Sequence, residues 1–372
     1  MEFAFTPEHD ELRQTVRKFL NDKSDEQAVL RWMQTTDGYD PAVWTQMAEQ
    51  MALQGLIVPE RFGGAGLGPI EVAIVCEEMG RTLLCAPYLS SAVLSVNALV
   101  LGATDAAQSE LLPAIASGQT LSTLAIVEPD RGWEPAAVAM KASAAGGAWR
   151  LTGSKTFVLD GHVAHVLLVA ARTKEGLSLY RIDGEADGVS RELLPTLDLT
   201  RKLARVTFTR ARAQRIGRDG DLTGVLARVQ ALALAALAAE QAGGTQRCLE
   251  LATEYAKTRL QFGRPIGSFQ AIKHKCADML VAAEFAKSAA YNAAFRAAEG
   301  GEDEFRAAAA MAKSYCSEAY VQAASENIQV HGGMGFTWEH PAHLYLKRAK
   351  SSSLLFGDPV HHRAKLAEQL DL

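Results

Sequence analysis

The sequence predicts an α+β chain with segregated layers: helices, then an antiparallel β module, then helices again. Three observations carry this. Up to about residue 120, apolar residues recur at helical spacing. At Leu121 the texture turns to short apolar or alternating runs parted by Gly, Asp and Ser. From about Leu222, alanine-rich helical runs resume. The expected units are an N-terminal α-helical domain over 1–120, a middle β domain over 121–221 and a C-terminal helical domain over 222–372.

Thr6-Pro7-Glu8 reads as an N-cap, a first-turn proline and an early acid, opening a helix with Leu12, Val16, Phe19 and Leu20 on one face. A second helix is expected from Pro41 through Trp44, Met47 and Met51 to Leu53. The glycine-rich run from Pro59 to Gly68 reads as a loop, without the strand–loop–helix setting of a dinucleotide fingerprint. Further helices are expected over 70–82, 90–101 and 107–115. Strands follow over 121–127, 149–152, 155–159, 166–171, 177–182 and 204–209. Asp198-x-Thr200-Arg201 reads as a strand-entry turn, with Arg201 a minor phosphate candidate.

With 48% hydrophobic and 22% charged residues the chain has an ordinary globular composition. A net charge of −5 and no basic stripe argue against nucleic acid. The longest apolar run, Ala231 to Ala239, is too short to span a bilayer. Met1 is followed by acids, unlike a signal peptide. The five cysteines lack metal or disulfide spacing and read as reduced core residues of a cytoplasmic protein.

The chain is organised around residues 255–274. A long helical run breaks at Gly263 and Pro265 and restarts near Ser268, a candidate N-cap. The break carries Arg259, Arg264, Phe262, Phe269 and Gln270. Fixed cations, flat rings and a bidentate amide suit a ligand with phosphates and an aromatic ring system. An ordinary helix–helix connection with solvated arginines accounts for them equally well.

The words R-x-x-F-G-x-x-I-x-x-F-Q, from Arg259 to Gln270, resemble the C-terminal signature of the acyl-CoA dehydrogenase family. Gln329-Val-His-Gly332-Gly333-Met-Gly335-Phe resembles that family's Q-x-x-G-G-x-G-[FY] element, and Pro59 to Gly68 its P-E-x-x-G-G-x-G loop. Ala125 to Pro129 and Leu151 to Phe157 resemble its T-E-P and N-G-x-K-x-W/F strands, with Val127 in place of Thr, Gly132-Trp133-Glu134 in place of a small turn, and Leu159 where a hydroxyl is usual. The resemblance covers essentially the whole chain. It implies a C-terminal four-helix bundle and an FAD lying between the β domain and the bundle. Ile126, Val127 and Phe157 would line the isoalloxazine. Arg259, Phe262, Phe269, Gln270, Gln329, Gly332 and Gly333 would grip the flavin of a neighbouring subunit. An oligomer follows, either a dimer of dimers or a heterotetramer with a paralogous subunit, together with an acyl-CoA substrate and an electron-transferring flavoprotein.

Desaturating a thioester at its α,β bond requires a carboxylate base for a weakly acidic α proton. Many family members carry a Glu where Leu355-Phe356-Gly357-Asp358-Pro359 has Phe356, which cannot take a proton. Glu240 is the first substitute: it follows the apolar run 231–239, one seven-residue step beyond Ala233, where other branches carry their base. Desolvation by alanines would raise its pKa; a polar stripe with Arg247, Glu250 and Glu254 is the plainer account. Asp358 is the second substitute, with a turn role before Pro359 as its plainer account. His331, His361 and His362 lack ligand spacing and read as packing residues. The leading expectation is an FAD-dependent acyl-CoA dehydrogenase whose lost Glu and bulky Trp133 point to a branched or polycyclic acyl group. The alternatives are a non-catalytic or half-site subunit of an α2β2-type dehydrogenase, and a related oxidase or monooxygenase.

Overall fold

The computed structural model describes residues 5–145 and 148–370, so Met1 and Glu2, read above as lacking a signal sequence, lie outside the described residues. The helical start follows from its capping box: Thr6 Oγ1 accepts the His9 N–H while the His9 ring accepts the Thr6 N–H, with Pro7 in the first turn. This opens α1 (Pro7–Lys23). Next come α2 (Glu26–Met33), which sequence reading missed, and α3 (Pro41–Met51), capped by Asp40. α4 (Pro69–Arg81) follows, then a π-helical stretch, Tyr88–Ser95, that leads into α5 (Val96–Gly102) and α6 (Asp105–Ala116).

The β module comprises β1 (Ser122–Ala125), β2 (Ala142–Ala145), β3 (Ala148–Leu159), β4 (Val166–Thr173), β5 (Gly176–Asp183), β6 (Val189–Leu193) and β7 (Leu203–Arg215). Two expected strands, 149–152 and 155–159, are one strand broken by bulges between Leu151/Gly153 and Lys155/Val158. Strands β2 and β6 escaped sequence reading: one is an alanine-rich tetrapeptide, the other has no fully buried residue. The order is β1-β4-β5-β7-β3-β2, with β6 also on β7. All pairs are antiparallel except β1 with β4, which is parallel. Leu151, Leu167, Val169, Tyr180, Ile182, Val206 and Phe208 fill its core.

The remaining elements are α7 (Thr223–Thr258), a short hairpin of β8 (Leu260–Gln261) and β9 (Arg264–Pro265), α8 (Gln270–Glu299), α9 (Glu302–His331), α10 (Ala342–Leu354) and α11 (Pro359–Gln369). Helix α7 extends well past the apolar run and is long and apolar enough to cross a membrane, but 61% of its apolar window is buried in protein, as in a core helix. The chain divides into two compact units: Met1–Arg31, Pro69–Leu84 and Leu234–Leu372 form one, Trp32–Gly68 and Cys85–Ala233 the other.

In the first unit α4 and α7 cross at van der Waals contact of their backbones. A Cβ on Gly80 would lie 2.0 Å from the Glu240 carbonyl oxygen, and one on Gly243 would lie 1.9 Å from that of Glu77. Gly244 faces a different side of the helix, about 100° further round, where a Cβ would meet the Tyr320 ring of α9 at 2.4 Å. Tyr320 and Gln241 are fully buried beside it. Backbone cannot retreat as a side chain can, so Gly243→Ala is expected to destabilise this unit by about 3 kcal/mol, the upper end for overpacking. A denaturation midpoint equal to wild type would refute the contact.

Candidate functional site

The break at the end of α7 is a two-residue β-hairpin. Leu260 pairs with Pro265 and Gln261 with Arg264, leaving Phe262 (φ 52°) and Gly263 (φ 77°) as the turn. Positive φ at both central positions is the geometry that matches strand twist. Ile266 N–H donates to Arg259 C=O at 2.8 Å and closes the base of the hairpin. Phe262 is 90% exposed. Arg264 lies over the Phe269 ring at 4.2 Å, and Phe269 meets Phe262 edge to face at 6.0 Å. Ser268 does not cap α8: the helix begins at Gln270 with Phe269 at the cap position, and Ser268 sits in a 3-10 turn one residue too early to reach the amides.

The second motif ends α9. Gly332 takes φ 62°, ψ −139°, a conformation open only to glycine, and a Cβ on Gly332 or Gly333 would meet nothing within 4 Å. Tyr255, on the last turns of α7, joins the two motifs: its ring stacks on His331 at 4.3 Å and its hydroxyl reaches Met334 Sδ at 3.8 Å. Arg259, Phe262, Gln270, Gln329, Gly332 and Gly333 are thus brought to an exposed face of one unit, with Phe269 half-buried among them. His331 is a packing residue between Tyr255 and His340. Burial lowers its pKa, and burial with the neighbouring His331 and His343 takes His340 to about 4, so His340 is neutral at physiological pH.

In the other unit Ile126, Val127 and Phe157 also converge. Lys155 Nζ, fully buried on β3, donates to Ile126 C=O at 2.8 Å, and Thr156 N–H donates to Val127 C=O at 2.9 Å. Lys155 also pairs with Glu128 at 2.8 Å, whose carboxylate accepts the Ala139 and Met140 amides. Burial takes the Lys155 ammonium down to about 8. Burial works to raise Glu128, but Lys155 and the two amides outweigh it and hold its pKa below the ordinary value. Phe157 takes φ 51°, is half-exposed and stacks on Trp133 at 5.6 Å; the Trp133 carbonyl accepts from Gln230 at 3.0 Å. Sequence reading missed the Lys155–Glu128 pair, whose signal was a lysine at an inward position of an alternating strand. Asp198 forms the expected turn, accepting the Thr200 N–H at 2.9 Å.

The two candidate bases are both engaged. Glu240 is buried not among alanines alone but against Arg348 of α10, at 3.0 Å, whose other nitrogen donates to Leu84 C=O. A guanidinium partner stabilises the charged carboxylate against the cost of its burial. Asp358 caps α11, accepting the His361 N–H at 2.8 Å. Phe356, between them in sequence, is buried with φ 61°. His362 is buried, donates from Nε2 to Phe356 C=O at 3.0 Å and is pushed by burial to about 4. Lys313, fully buried on α9, donates to Ser353 C=O, Gly357 C=O and Ser317 Oγ, each at 3.0 Å.

Helices thus precede and follow a seven-stranded sheet, and the two glycine-turn motifs lie side by side at the ends of α7 and α9. The chain matches the model of the acyl-CoA dehydrogenase N-terminal domain over residues 6–119 and that of the C-terminal domain over 230–370. It is 32% identical over 367 residues to acyl-CoA dehydrogenase IpdE2 of Mycolicibacterium smegmatis, covering 98% of this chain and 99% of that protein. It superposes on a chain of the ChsE4-ChsE5 complex of Mycobacterium tuberculosis with a TM-score of 0.91 at 28% identity, covering 100% and 99% of the two chains. For a variant of the Tcur3481-Tcur3483 steroid ACAD the TM-score is 0.88 at 29% identity, with 98% of each covered. The chain belongs to the acyl-CoA dehydrogenase family, and is an oxidoreductase acting on acyl-CoA.

Burial takes the Lys313 ammonium to about 7, from 10.5 in the unfolded chain. The unfolded state therefore holds the extra proton between these values, and stability through Lys313 rises with pH across that window. Denaturation midpoints of wild type minus Lys313→Met are expected to grow from pH 7 to 10; a flat difference would refute the depressed ammonium.

Proposed function

We propose that the chain is a subunit of an FAD-dependent acyl-CoA dehydrogenase that desaturates the α,β bond of an acyl-CoA thioester. The acyl chain is bulky or branched, and the electrons pass to an electron-transferring flavoprotein. The observation that carries the reading is the meeting of the Arg259–Gln270 hairpin and the Gln329–Phe336 turn on one exposed face, pinned by Tyr255. The donors fit the coenzyme: exposed arginines suit a pyrophosphate, bare glycine backbone admits close approach, and exposed aromatic rings suit an adenine or flavin edge. Phe262, Phe336 and Trp338 are 90%, 80% and 60% exposed, which fits a face completed by a second chain in a dimer of dimers or a heterotetramer. When bound, the flavin supplies the hydride acceptor. In the other unit Ile126 and Val127, on a loop that Lys155 and Glu128 fix in place, and Phe157 of β3 line its ring. Arg259, Phe262, Phe269, Gln270, Gln329, Gly332 and Gly333 bind the coenzyme of the adjoining subunit. The free thiols of the described residues suit a reducing compartment, the cytoplasm.

Glu240 is the first candidate base in this chain and Asp358 the second. One set of observations favours the other reading, a half-site subunit that lends flavin contacts but no base. Glu240 is held by Arg348, Asp358 caps a helix, and Phe356 has no proton acceptor. The chain's relatives include a member of the two-component ChsE4-ChsE5 complex.

The absorbance spectrum tests both. Expressed alone, the dehydrogenase is expected to be yellow and to bleach under nitrogen with an acyl-CoA, and Arg259→Ala to lose at least about tenfold in flavin affinity, in keeping with a lost charge-assisted phosphate contact. A colourless chain that gains flavin only with a co-expressed paralogue selects the half-site subunit, and rapid reoxidation by oxygen selects an oxidase. Glu240→Gln removes the carboxylate charge and leaves Arg348 buried without it, at a cost of about 3 kcal/mol. If the folded variant still bleaches at the wild-type rate, Glu240 is not the base.

A further inference from the structure

The turn between α10 and α11 places two residues in succession in left-handed backbone, Phe356 at φ 61° and Gly357 at φ 105°. Glycine takes this conformation freely; a phenylalanine is strained in it, and bonds to the neighbouring backbone must offset that strain. Those bonds come from two buried side chains. Lys313 Nζ holds the carbonyls on either side of Phe356, Ser353 and Gly357, while His362 Nε2 holds the carbonyl of Phe356 itself, all at 3.0 Å. The third ammonium donor goes to Ser317 Oγ, which also accepts from Gln241 Nε2 of α7 at 3.0 Å. Every proton of the ammonium is therefore committed, and the turn is tied through α9 to the glycine-tight crossing of α7. Ser353 lies in the last turn of α10, where helix carbonyls lack helical partners and attract a cation. A lysine that only filled space in an alanine-rich helix would cost more than methionine.

We propose that Lys313 is a positioning residue that locks Phe356 in its left-handed conformation and so holds the α10–α11 turn in the shape an acyl-CoA meets. This rests on the dehydrogenase reading, in which Phe356 stands at the position that carries the base in many relatives. Lys313 acts through backbone carbonyls and touches no substrate.

Hydrogen exchange read by mass spectrometry on the full chain tests the lock without any ligand. Lys313→Met is expected to speed exchange of a peptide covering 354–358 by at least about tenfold while a peptide within α8 keeps its wild-type rate. Ser317→Ala, which removes only the third anchor, gives a smaller rise confined to the same peptide. In a Phe356→Gly background the effect of Lys313→Met shrinks, because glycine needs no lock to hold positive φ. A rise spread evenly over the unit, or an equal effect in both backgrounds, overturns the lock. The link to substrate is read by adding an acyl-CoA: it protects 354–358 in wild type, and Lys313→Met needs at least about tenfold more for half protection. Equal half-protection concentrations overturn that link. An acyl-CoA that binds nowhere on wild type overturns the dehydrogenase reading itself, and is told apart because the ligand-free exchange pattern is unaffected by it.

Discussion

Helix α7 is pressed from two sides at one level, and much else in its unit follows from that. Gly243 admits the backbone of α4 and Gly244 admits the ring of Tyr320 from α9. Helices this close exclude side chains between them, so the groups just before and after the crossing have fixed neighbours. Glu240 lies three residues before Gly243 and meets Arg348; Glu250 lies seven residues after it and meets Arg81, with contacts of 3.0 and 2.8 Å. The same rod continues to Tyr255, which sets the hairpin beside the Gly332 turn. Two glycines thus determine where the proposed coenzyme grip is built, about three turns further along the helix.

Buried charge serves one purpose repeatedly in this chain: it pins irregular backbone. Lys155 holds the Ile126 carbonyl, Glu128 the Ala139 and Met140 amides, Arg348 the Leu84 carbonyl, and Lys313 the Ser353 and Gly357 carbonyls. Irregular backbone taken out of bulk water must find partners for its polar groups outside the regular helix and sheet ladders. A long cation with several donors supplies the bonds from a distance, and is itself desolvated in doing so. The depressed pKa values of Lys155 and Lys313 record that desolvation.

The local signals were legible in the sequence. The Thr6 N-cap, the helix starts at Pro41 and near Ile70, and the Gly263 turn each depend on a few adjacent residues. The site motifs were legible for the same reason, since a glycine that needs positive φ marks its own turn. What escaped depends on distant partners. Ser268 has the right chemistry for a cap, but the 3-10 turn after the hairpin delays the helix to Gln270, and Ser268 falls one residue before the cap position. Strand β6 shows no clear apolar alternation because Arg191 stands between Val189 and Leu193 on the half-buried side of this addition to β7. The apolar run before Glu240 foretold its burial, yet nothing near it announced Arg348, 108 residues further on.

That distance bears on the chemistry. A general base ends its step protonated, and a protonated Glu240 no longer carries the charge that faces Arg348. The guanidinium would then be left buried without its carboxylate, and this loss would be added to the barrier of proton abstraction. Asp358 faces a smaller version of the same conflict, since accepting a proton weakens its cap on α11. A carboxylate supplied by a paralogous chain meets neither penalty. The unusual Phe356 then has a consistent place: with its turn locked from behind, an apolar ring in that position needs only to be shaped, not charged.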